Sequence, residues 1–206
     1  MKTAVLGVGN VGGSLARLWS QSGHEVLLTA RTAEKSKSLQ SKFPGCHVVS
    51  ARELSQADVI ALCVPWPSAQ DALQSLGDLR GKIIIDCTNP VNRDASALAV
   101  GGTDSAAEQI QRWFPQAHVV KAFNTLGAVL LGNADFHGQL ADGFHCGDDP
   151  DAKATIQPLI KDAGLHPLDV GPLRNARYLE AIAMLWIDMT LHQKRGGNYA
   201  FKLISR

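Results

Sequence analysis

The chain begins with KTAVLGVGNVGG, residues 2–13, and this segment decides the fold. Its apolar first half is typical of a buried strand, and a helical pattern follows over residues 11–22. The turn between them is the hexapeptide Gly7, Val8, Gly9, Asn10, Val11 and Gly12. In G-x-G-x-x-G the first glycine permits the turn, the second admits a phosphate, and the third lets helix and strand pack closely. The segment therefore predicts a dinucleotide pyrophosphate site at a helix N-terminus.

Apolar, strand-like runs alternate with amphipathic stretches through the first two thirds of the chain. The predicted strands are residues 2–8, 25–30, 47–49, 58–64, 82–86 and 118–122. The predicted helices are residues 11–22, 33–43, 68–76 and 104–114. Such alternation implies right-handed crossovers and parallel strand pairing. We therefore predict a Rossmann-type, doubly wound α/β fold with a mostly parallel sheet.

The last third of the chain has a looser pattern. The predicted elements there are strands at residues 143–146 and 165–170, a helix at 150–163, and a final helix at 175–192. The final helix is so apolar that it must pack deeply in its own core or against a second subunit. We predict one domain over residues 1–206, with a nucleotide-binding core at 1–135. The C-terminal extension, residues 136–206, is expected to pack on that core.

Composition excludes several classes of protein. The 206 residues carry a formal net charge of +1, so no bulk field favours nucleic acid or an anionic membrane. No apolar run reaches membrane-spanning length, and the N-terminus lacks a signal-peptide pattern. The four cysteines form no C-x-x-C pair, and His145 and Cys146 point to opposite faces of a strand. We therefore predict a cytoplasmic protein with reduced thiols, no metal site, and neither nucleic acid nor membrane as a partner.

The end of the second predicted strand decides the choice of dinucleotide. NAD-binding versions usually place an acid about 20 residues after the glycine turn, where it accepts a bond from the ribose 2′-OH. This chain has no acid there and carries Arg31 instead, followed by Thr32 and Lys35. The two cations and the hydroxyl suit a 2′-phosphate, which predicts NADP(H). The alternative is that Arg31 and Lys35 are only solvated residues at a helix start.

Three more segments follow predicted strands, at the sheet edge where ligands of such folds lie. The candidate cofactor-binding residues there are Val64, Pro65, Trp66, Asn89, Pro90 and Asn124. We expect Val64 and Pro65 to border the nicotinamide ribose, and Asn89 or Asn124 to hold the ribose or the carboxamide. Trp66 is expected to pack against either ligand. The alternative is ordinary turn chemistry, because asparagine and proline favour turns.

Several longer segments carry a resemblance to known proteins. They are GVGNVG at 7–12, ART at 30–32, VPW at 64–66, VKAFNT at 120–125, GDD at 147–149 and GPLRNAR at 171–177. Nearly the whole chain resembles the coenzyme F420-dependent NADP oxidoreductase family, and also the cytosolic reductase domain of six-transmembrane metalloreductases. At Phe123-Asn124, where F420 reductases tend to have a histidine, the chain is closer to the metalloreductases.

The resemblance implies that NADP(H) lies along the sheet edge and exchanges a hydride with a flavin- or deazaflavin-like ring such as F420, or with a small substrate. It also implies a homodimer. Exchange between stacked rings needs proximity and orientation more than an acid or a base, so we predict no catalytic side chain. A non-catalytic NADP(H)-binding sensor or scaffold protein is the alternative. The identity of the acceptor and the direction of transfer stay open at this point.

Overall fold

The computed structural model describes residues 1–30 and 32–206, which contain eight strands in one sheet. The strands are β1 (Lys2–Leu6), β2 (Glu25–Thr29), β3 (His47–Val49), β4 (Val59–Leu62), β5 (Ile83–Asp86), β6 (His118–Ala122), β7 (Asp142–Gly147) and β8 (His166–Asp169). Their order across the sheet is β3-β2-β1-β4-β5-β6-β7-β8. The order reverses beside β1, and crevices at the carboxyl ends of strands form at such a switch point.

The described residues also form seven α-helices, of which the first six connect strands and the seventh follows β8. They are α1 (Asn10–Gln21), α2 (Ala33–Lys42), α3 (Ala51–Leu54), α4 (Ala69–Gln74), α5 (Ala106–Trp113), α6 (Pro150–Asp162) and α7 (Ala176–Ile187). The sequence patterns did not predict α3, which is only four residues long. Its signal is a capping box, in which Ser50 and Glu53 satisfy each other's backbone N–H groups. The helix predicted over 175–192 continues beyond α7 as a π-helical turn, Asp188–His192.

Strands β1 to β6 are all parallel, β7 runs antiparallel to β6, and β8 is parallel to β7. The predicted Rossmann-type, mostly parallel sheet is therefore confirmed. The strands predicted over 2–8 and 58–64 are shorter than expected and end at Leu6 and Leu62. The reason at β1 is Gly7, whose φ of +105° takes the backbone out of the extended conformation.

Apolar side chains cover both faces of the sheet. All four residues of β4 are fully buried, as expected for a central parallel strand. On one face lies Trp19 of α1, whose indole N–H donates to the Leu159 carbonyl of α6 at 2.9 Å. On the other face Leu73 of α4 and Ile110 of α5 pack against β4 and β5. This packing fixes α1 in front of the carboxyl end of β1, where the glycine turn lies.

We expect Gly12→Ala to lower the free energy of unfolding by about 2–3 kcal/mol, because a Cβ at this position overlaps the Gly7 carbonyl oxygen and crowds Val5. The matched control is Gly9→Ala. No atom lies within 4 Å of a Cβ built on Gly9, so its cost should be about 1 kcal/mol or less. Urea unfolding of both variants measures the difference. Equal losses would contradict the close helix–strand contact assigned to Gly12.

Candidate functional site

The glycine turn is closed on one side and open on the other. A Cβ on Gly7 would lie 2.8 Å from both the carbonyl carbon and the oxygen of Cys63, so the turn packs directly on the end of β4. Gly9 faces open space. The three predicted glycines therefore have distinct roles, since Gly7 and Gly12 permit close packing and Gly9 leaves room for a ligand beside the backbone.

The N-terminus of α1 is available to an anion. Its N-cap is Gly9, no side chain caps the first turn, and no acidic residue lies in that turn. The first N–H groups of a helix have no intrahelical acceptor, and the helix dipole places partial positive charge beside them. Asn10 and Val11, both predicted site residues, form this first turn. The arrangement suits a pyrophosphate.

Two clefts flank the glycine turn. The first, which we call the asparagine cleft, has a volume of about 810 Å³ and contains Gly9, Asn10 and Val11 together with Asn89 and Asn124. Five of the predicted site residues, from three separate parts of the sequence, thus meet in one cavity.

The second cleft, the β2 cleft, has a volume of about 780 Å³ and lies beyond the end of β2. It is lined by Gly7, Thr29, Ala30 and Val64, and Asp71 of α4 also lines it. Two further predicted residues, Gly7 and Val64, therefore lie on the other side of the turn from the asparagines. The two clefts together provide an elongated surface across the carboxyl ends of β2, β1, β4 and β5.

Asn89 and Asn124 hold each other in place. The Asn89 amide donates to the Asn124 backbone carbonyl at 3.2 Å, and the Asn124 amide donates to Asn89 Oδ1 at 3.2 Å. The Asn124 amide also donates to the Leu179 carbonyl at 3.2 Å, which fixes the direction of its nitrogen. Asn124 Oδ1 is consequently a buried acceptor with no hydrogen-bond partner among the described residues. A buried orphan acceptor at a cleft wall indicates a missing donor.

The backbone just before Asn124 is strained. Phe123 is buried and has a φ of +63°, a left-handed conformation that costs about 1 kcal/mol or more for a non-glycine residue. Its ring packs edge-on against Trp19, with centroids 6.1 Å apart. The sharp turn returns the chain after β6 toward the end of β5, where Asn89 lies. Strain of this kind is tolerated where packing fixes a functional residue.

The predicted 2′-phosphate residues lie around the start of α2. Arg31 itself falls outside the described residues. Thr32 is the N-cap of α2 and its hydroxyl oxygen accepts from the Lys35 backbone N–H at 3.3 Å, which leaves the hydroxyl hydrogen free to donate. Lys35 is exposed in the first turn. Their role in cofactor selection stays a prediction.

Three of the predicted site residues lie outside both clefts. Pro65 is exposed, and Pro90 is buried with its carbonyl accepting from Ala99 N–H at 2.6 Å. The Trp66 ring stacks on Trp113 of α5, with centroids 5.3 Å apart and planes 16° from parallel. None of the three lines either cleft. Their contact with a ligand stays a prediction, and for Trp66 the ring face against Trp113 is already used.

A buried charged cluster lies directly behind the asparagines. Lys121 Nζ donates to Asp86 Oδ2 at 2.8 Å, to Glu180 Oε1 at 2.8 Å and to the Thr88 carbonyl at 2.7 Å. The three charged side chains are fully buried. Because an ammonium group has three N–H donors, every donor of Lys121 is satisfied. We call Lys121, Asp86 and Glu180 the buried triad.

The triad joins four elements. Asp86 ends β5, Lys121 lies in β6, and Glu180 belongs to α7. Both Glu180 oxygens accept from the Ala106 N–H at the start of α5, at 3.0 and 3.1 Å, where the helix dipole favours an anion. Burial raises the pKa of Glu180 above its usual value, against the opposing effect of Lys121. Burial alone lowers the pKa of Lys121, but the two carboxylates together raise it.

Sequence reasoning missed the triad, although two signals were present. Charged residues end or interrupt apolar strands at Asp86 and Lys121, and parallel pairing of β5 with β6 places these two residues side by side. Glu180 similarly interrupts the apolar pattern of α7. An isolated charge inside a buried element needs a partner, which is the rule that links the three.

The C-terminal tail completes the asparagine cleft. Trp186 at the end of α7 and Gly197 and Asn198 of the tail line the cleft opposite the glycine turn. The Trp186 indole N–H donates to the Tyr199 carbonyl at 3.1 Å, and the two rings lie 5.7 Å apart. Further along, Asp142 accepts from the Leu203 N–H at 2.6 Å. The tail is thereby fixed at two points.

Over residues 1–30 and 32–206, no group of three or more His, Cys, Asp or Glu side chains could hold a metal ion. The predicted opposite directions of His145 and Cys146 agree with their contacts, since Cys146 faces the Leu173 carbonyl and His145 the Gly143 carbonyl. All four cysteines are free, and Cys63 alone is partly exposed. In the same part of the chain, no helix is both long and apolar enough to cross a membrane.

These observations together test whether a dinucleotide fits. The open space beside Gly9 accepts a group that a Cβ would block, and the uncapped N-terminus of α1 supplies donors for its phosphates. Asn124 Oδ1 supplies an acceptor for a carboxamide N–H. The residues at the glycine turn and the asparagines therefore fit an NADP-type dinucleotide.

Comparison with known proteins gives a consistent result. The family model described as NADP oxidoreductase, coenzyme F420-dependent, matches residues 2–90. The F420-dependent NADP reductase of Methanothermobacter marburgensis is 31% identical over 213 residues, with 94% of each chain covered. A solved structure from Arthrobacter sp. FB24, a candidate F420-dependent NADP reductase, has a TM-score of 0.90 at 30% identity and covers 100% of both chains.

A second group of relatives is longer than this chain. The metalloreductase STEAP3 of Rattus norvegicus is 34% identical over 188 residues, which are 89% of this chain and 36% of that protein. The chain thus spans about a third of the length of this curated relative.

We expect Lys121→Met to lower the free energy of unfolding by about 3–5 kcal/mol, because it leaves two buried carboxylates without a counter-charge. Without Lys121 the folded-state pKa of Glu180, which burial already raises, rises further above its unfolded value. Its stabilising contribution is then present at low pH and is lost as the pH rises, so the deficit should be smaller near pH 5 than near pH 8. Urea unfolding at both pH values measures this.

The matched control is Lys161→Met, at an exposed lysine in the last turn of α6, which should change stability by about 0.5 kcal/mol or less. A deficit in Lys121→Met that matches the control, or that does not vary with pH, would contradict the electrostatic role of the triad.

Proposed function

The chain belongs to the coenzyme F420-dependent NADP oxidoreductase family and is an NADP-dependent reductase, and we propose that it transfers a hydride between NADP(H) and a deazaflavin or flavin ring. The observation that carries this proposal is the asparagine cleft. It begins at the open glycine turn, passes the orphan acceptor of Asn124, and continues into free volume bounded by Trp186. A nicotinamide beside Asn124 therefore has room next to it for a second planar ring.

The side chains near the asparagines suit positioning rather than proton transfer. NADP(H), when bound, supplies the hydride chemistry itself. The N-terminus of α1 binds the pyrophosphate, and Asn124 Oδ1 orients the carboxamide so that one face of the ring is directed into the cleft. Asn89 keeps Asn124 in place through their mutual hydrogen bonds. Held in this way, two rings gain the proximity and orientation on which direct hydride exchange depends.

The acceptor that the relatives favour is F420. The methanogen reductase named for this coenzyme aligns over 94% of its length with this chain, which leaves little of that protein without a counterpart here. A flavin is the second candidate acceptor, because its ring has the same planar shape. Small substrates reduced directly by NADPH are a third class, for which the volume of the cleft is larger than needed.

A homodimer and a cytoplasmic location complete the proposal. The outer face of α7 presents Tyr178 and Leu185, which are 67% and 50% exposed, with the partly exposed Ile182 between them. An apolar stripe at helical spacing on a soluble reductase is typical of a subunit interface. A second copy of this chain is the partner that we propose for it.

The proposed reaction predicts that NADPH, followed at 340 nm, is oxidised on addition of F420 and more slowly with FMN, FAD or quinones. Asn124→Ala should lower kcat/KM by about ten- to a hundred-fold, because the carboxamide loses a buried hydrogen bond. Thr125→Ala, at a buried neighbour outside the cleft, is the matched control and should stay near wild type. Tight NADPH binding without oxidation by any acceptor would favour the sensor or scaffold alternative.

Cofactor choice gives a separate prediction. Arg31→Ala should weaken NADPH binding by about 1.5–3 kcal/mol through loss of a charge-assisted bond to the 2′-phosphate, and should leave NADH binding little changed. Lys35→Gln should act in the same direction with a smaller effect, because Lys35 is exposed. Lys37→Gln, at another exposed lysine of α2, serves as the control. Titration calorimetry with both cofactors measures the change, and equal losses for NADPH and NADH would refute the 2′-phosphate assignment.

A further inference from the structure

One end of the asparagine cleft carries two positive charges, Arg17 of α1 and Lys42 of α2. Among the described residues, these are the two ionisable side chains that line the cleft. Neither forms an ion pair with a described residue. A cavity with two unpaired cations and no acid attracts an anion.

Both cations lie away from the residues assigned to NADP(H). Arg17 follows Asn10 by seven residues on α1, about 10 Å along the helix axis. Lys42 ends α2, while Lys35 and Thr32 lie at its beginning, about 10 Å and 15 Å away along the axis. The β2 cleft, on the 2′-phosphate side of the glycine turn, contains neither Arg17 nor Lys42. The anion that these two cations suit is therefore a group other than the phosphates held at the two helix starts.

The surface between the asparagines and the cations leaves room for a chain-like group. The face of α1 in the cleft presents Asn10, Gly13, Ser14 and Arg17, at the three- and four-residue spacing of one helix face. A Cβ built on Gly13 would lie 3.4 Å from the Phe43 ring, so this ring packs directly against α1 here. Lys42 Nζ lies 5.6 Å from the centre of the same ring, a cation–π contact that holds it without a carboxylate.

We propose that Arg17 and Lys42 bind an anionic extension, a phosphate or a carboxylate, on the electron acceptor. The acceptor ring lies near Asn89 and Asn124, and its extension follows the Gly13–Ser14 surface of α1 to the two cations. This proposal rests on the proposed hydride transfer for the position of the ring. It adds a substrate class, since acceptors that carry phosphate are preferred over uncharged acceptors with the same ring.

The test uses pairs of acceptors that share a ring and differ in charge. FMN and riboflavin form one pair, and F420 and its phosphate-free ribityl deazaflavin form the other. Dissociation constants are measured by fluorescence with NADP⁺ present, and kcat/KM by NADPH oxidation. The variants are Arg17→Gln, Lys42→Gln and the double variant, with Lys161→Gln, an exposed lysine outside the cleft, as control.

For the wild type we expect the phosphate-bearing member of each pair to bind about ten-fold more tightly. Each single variant should reduce this preference about three-fold and the double variant should abolish it, as for solvent-exposed charge pairs. Raising the salt concentration should reduce the preference in the wild type and not in the double variant. The phosphate-free acceptors, the KM for NADPH and the control variant should be unchanged.

Two results overturn the proposal. The first is equal affinity for the two members of each acceptor pair, which includes the case in which none of the four acceptors binds. The second is a loss of NADPH affinity in the variants that parallels the loss of acceptor affinity. The second result assigns the cations to NADP(H) itself. Absence of NADPH oxidation by all four acceptors refutes the proposed function alone, because the dissociation constants still decide whether Arg17 and Lys42 recognise the phosphate. A charge preference that the variants remove supports the cation site with or without turnover.

Discussion

Lys121 lies inside the sheet without contact with water and donates all three of its N–H groups. Burial of a charge is tolerated only where partners replace the lost hydration. Those partners come from the end of β5 and from α7, so neither element can move without leaving a charge or a donor unsatisfied. The Asn124 amide donates to the carbonyl of Leu179, the residue before Glu180. The geometry of the asparagines thus depends on a cluster that contacts no ligand.

The glycine turn and the buried triad fix opposite ends of the same surface. At the turn, Gly7 and Gly12 lie so close to neighbouring atoms that no side chain fits on either residue. These close contacts set the position of α1 against β4. At the asparagines, the strained Phe123 and the triad set the direction of one amide. The proposed hydride transfer needs both ends to be rigid, since a displacement at either one changes the distance between the reacting atoms.

The elements that depend on local sequence were predictable, and the contacts that depend on strand order were not. Gly7, Gly9 and Gly12 act within one turn, so their spacing alone predicts the strand, turn and helix at the start of the fold. Asp86 and Lys121 become neighbours only because β5 pairs with β6, and Glu180 joins them only through the docking of α7. A motif search finds residues that act together along the chain, and it has no access to partners brought together by packing.

Trp66 is a further residue whose contact partner could not be predicted from the local sequence. An exposed-looking tryptophan after a strand, between two prolines, was expected to meet a ligand, and its sequence context offers no other partner. In the folded chain Trp113 of α5 stacks on one face of the Trp66 ring, and contact of the other face with a ligand stays a prediction. An aromatic residue at a sheet edge is therefore a weak indicator of a site unless the helix that crosses above it is known. Amides such as Asn124 are stronger indicators, because a buried amide with an unpaired oxygen records what the fold itself does not satisfy.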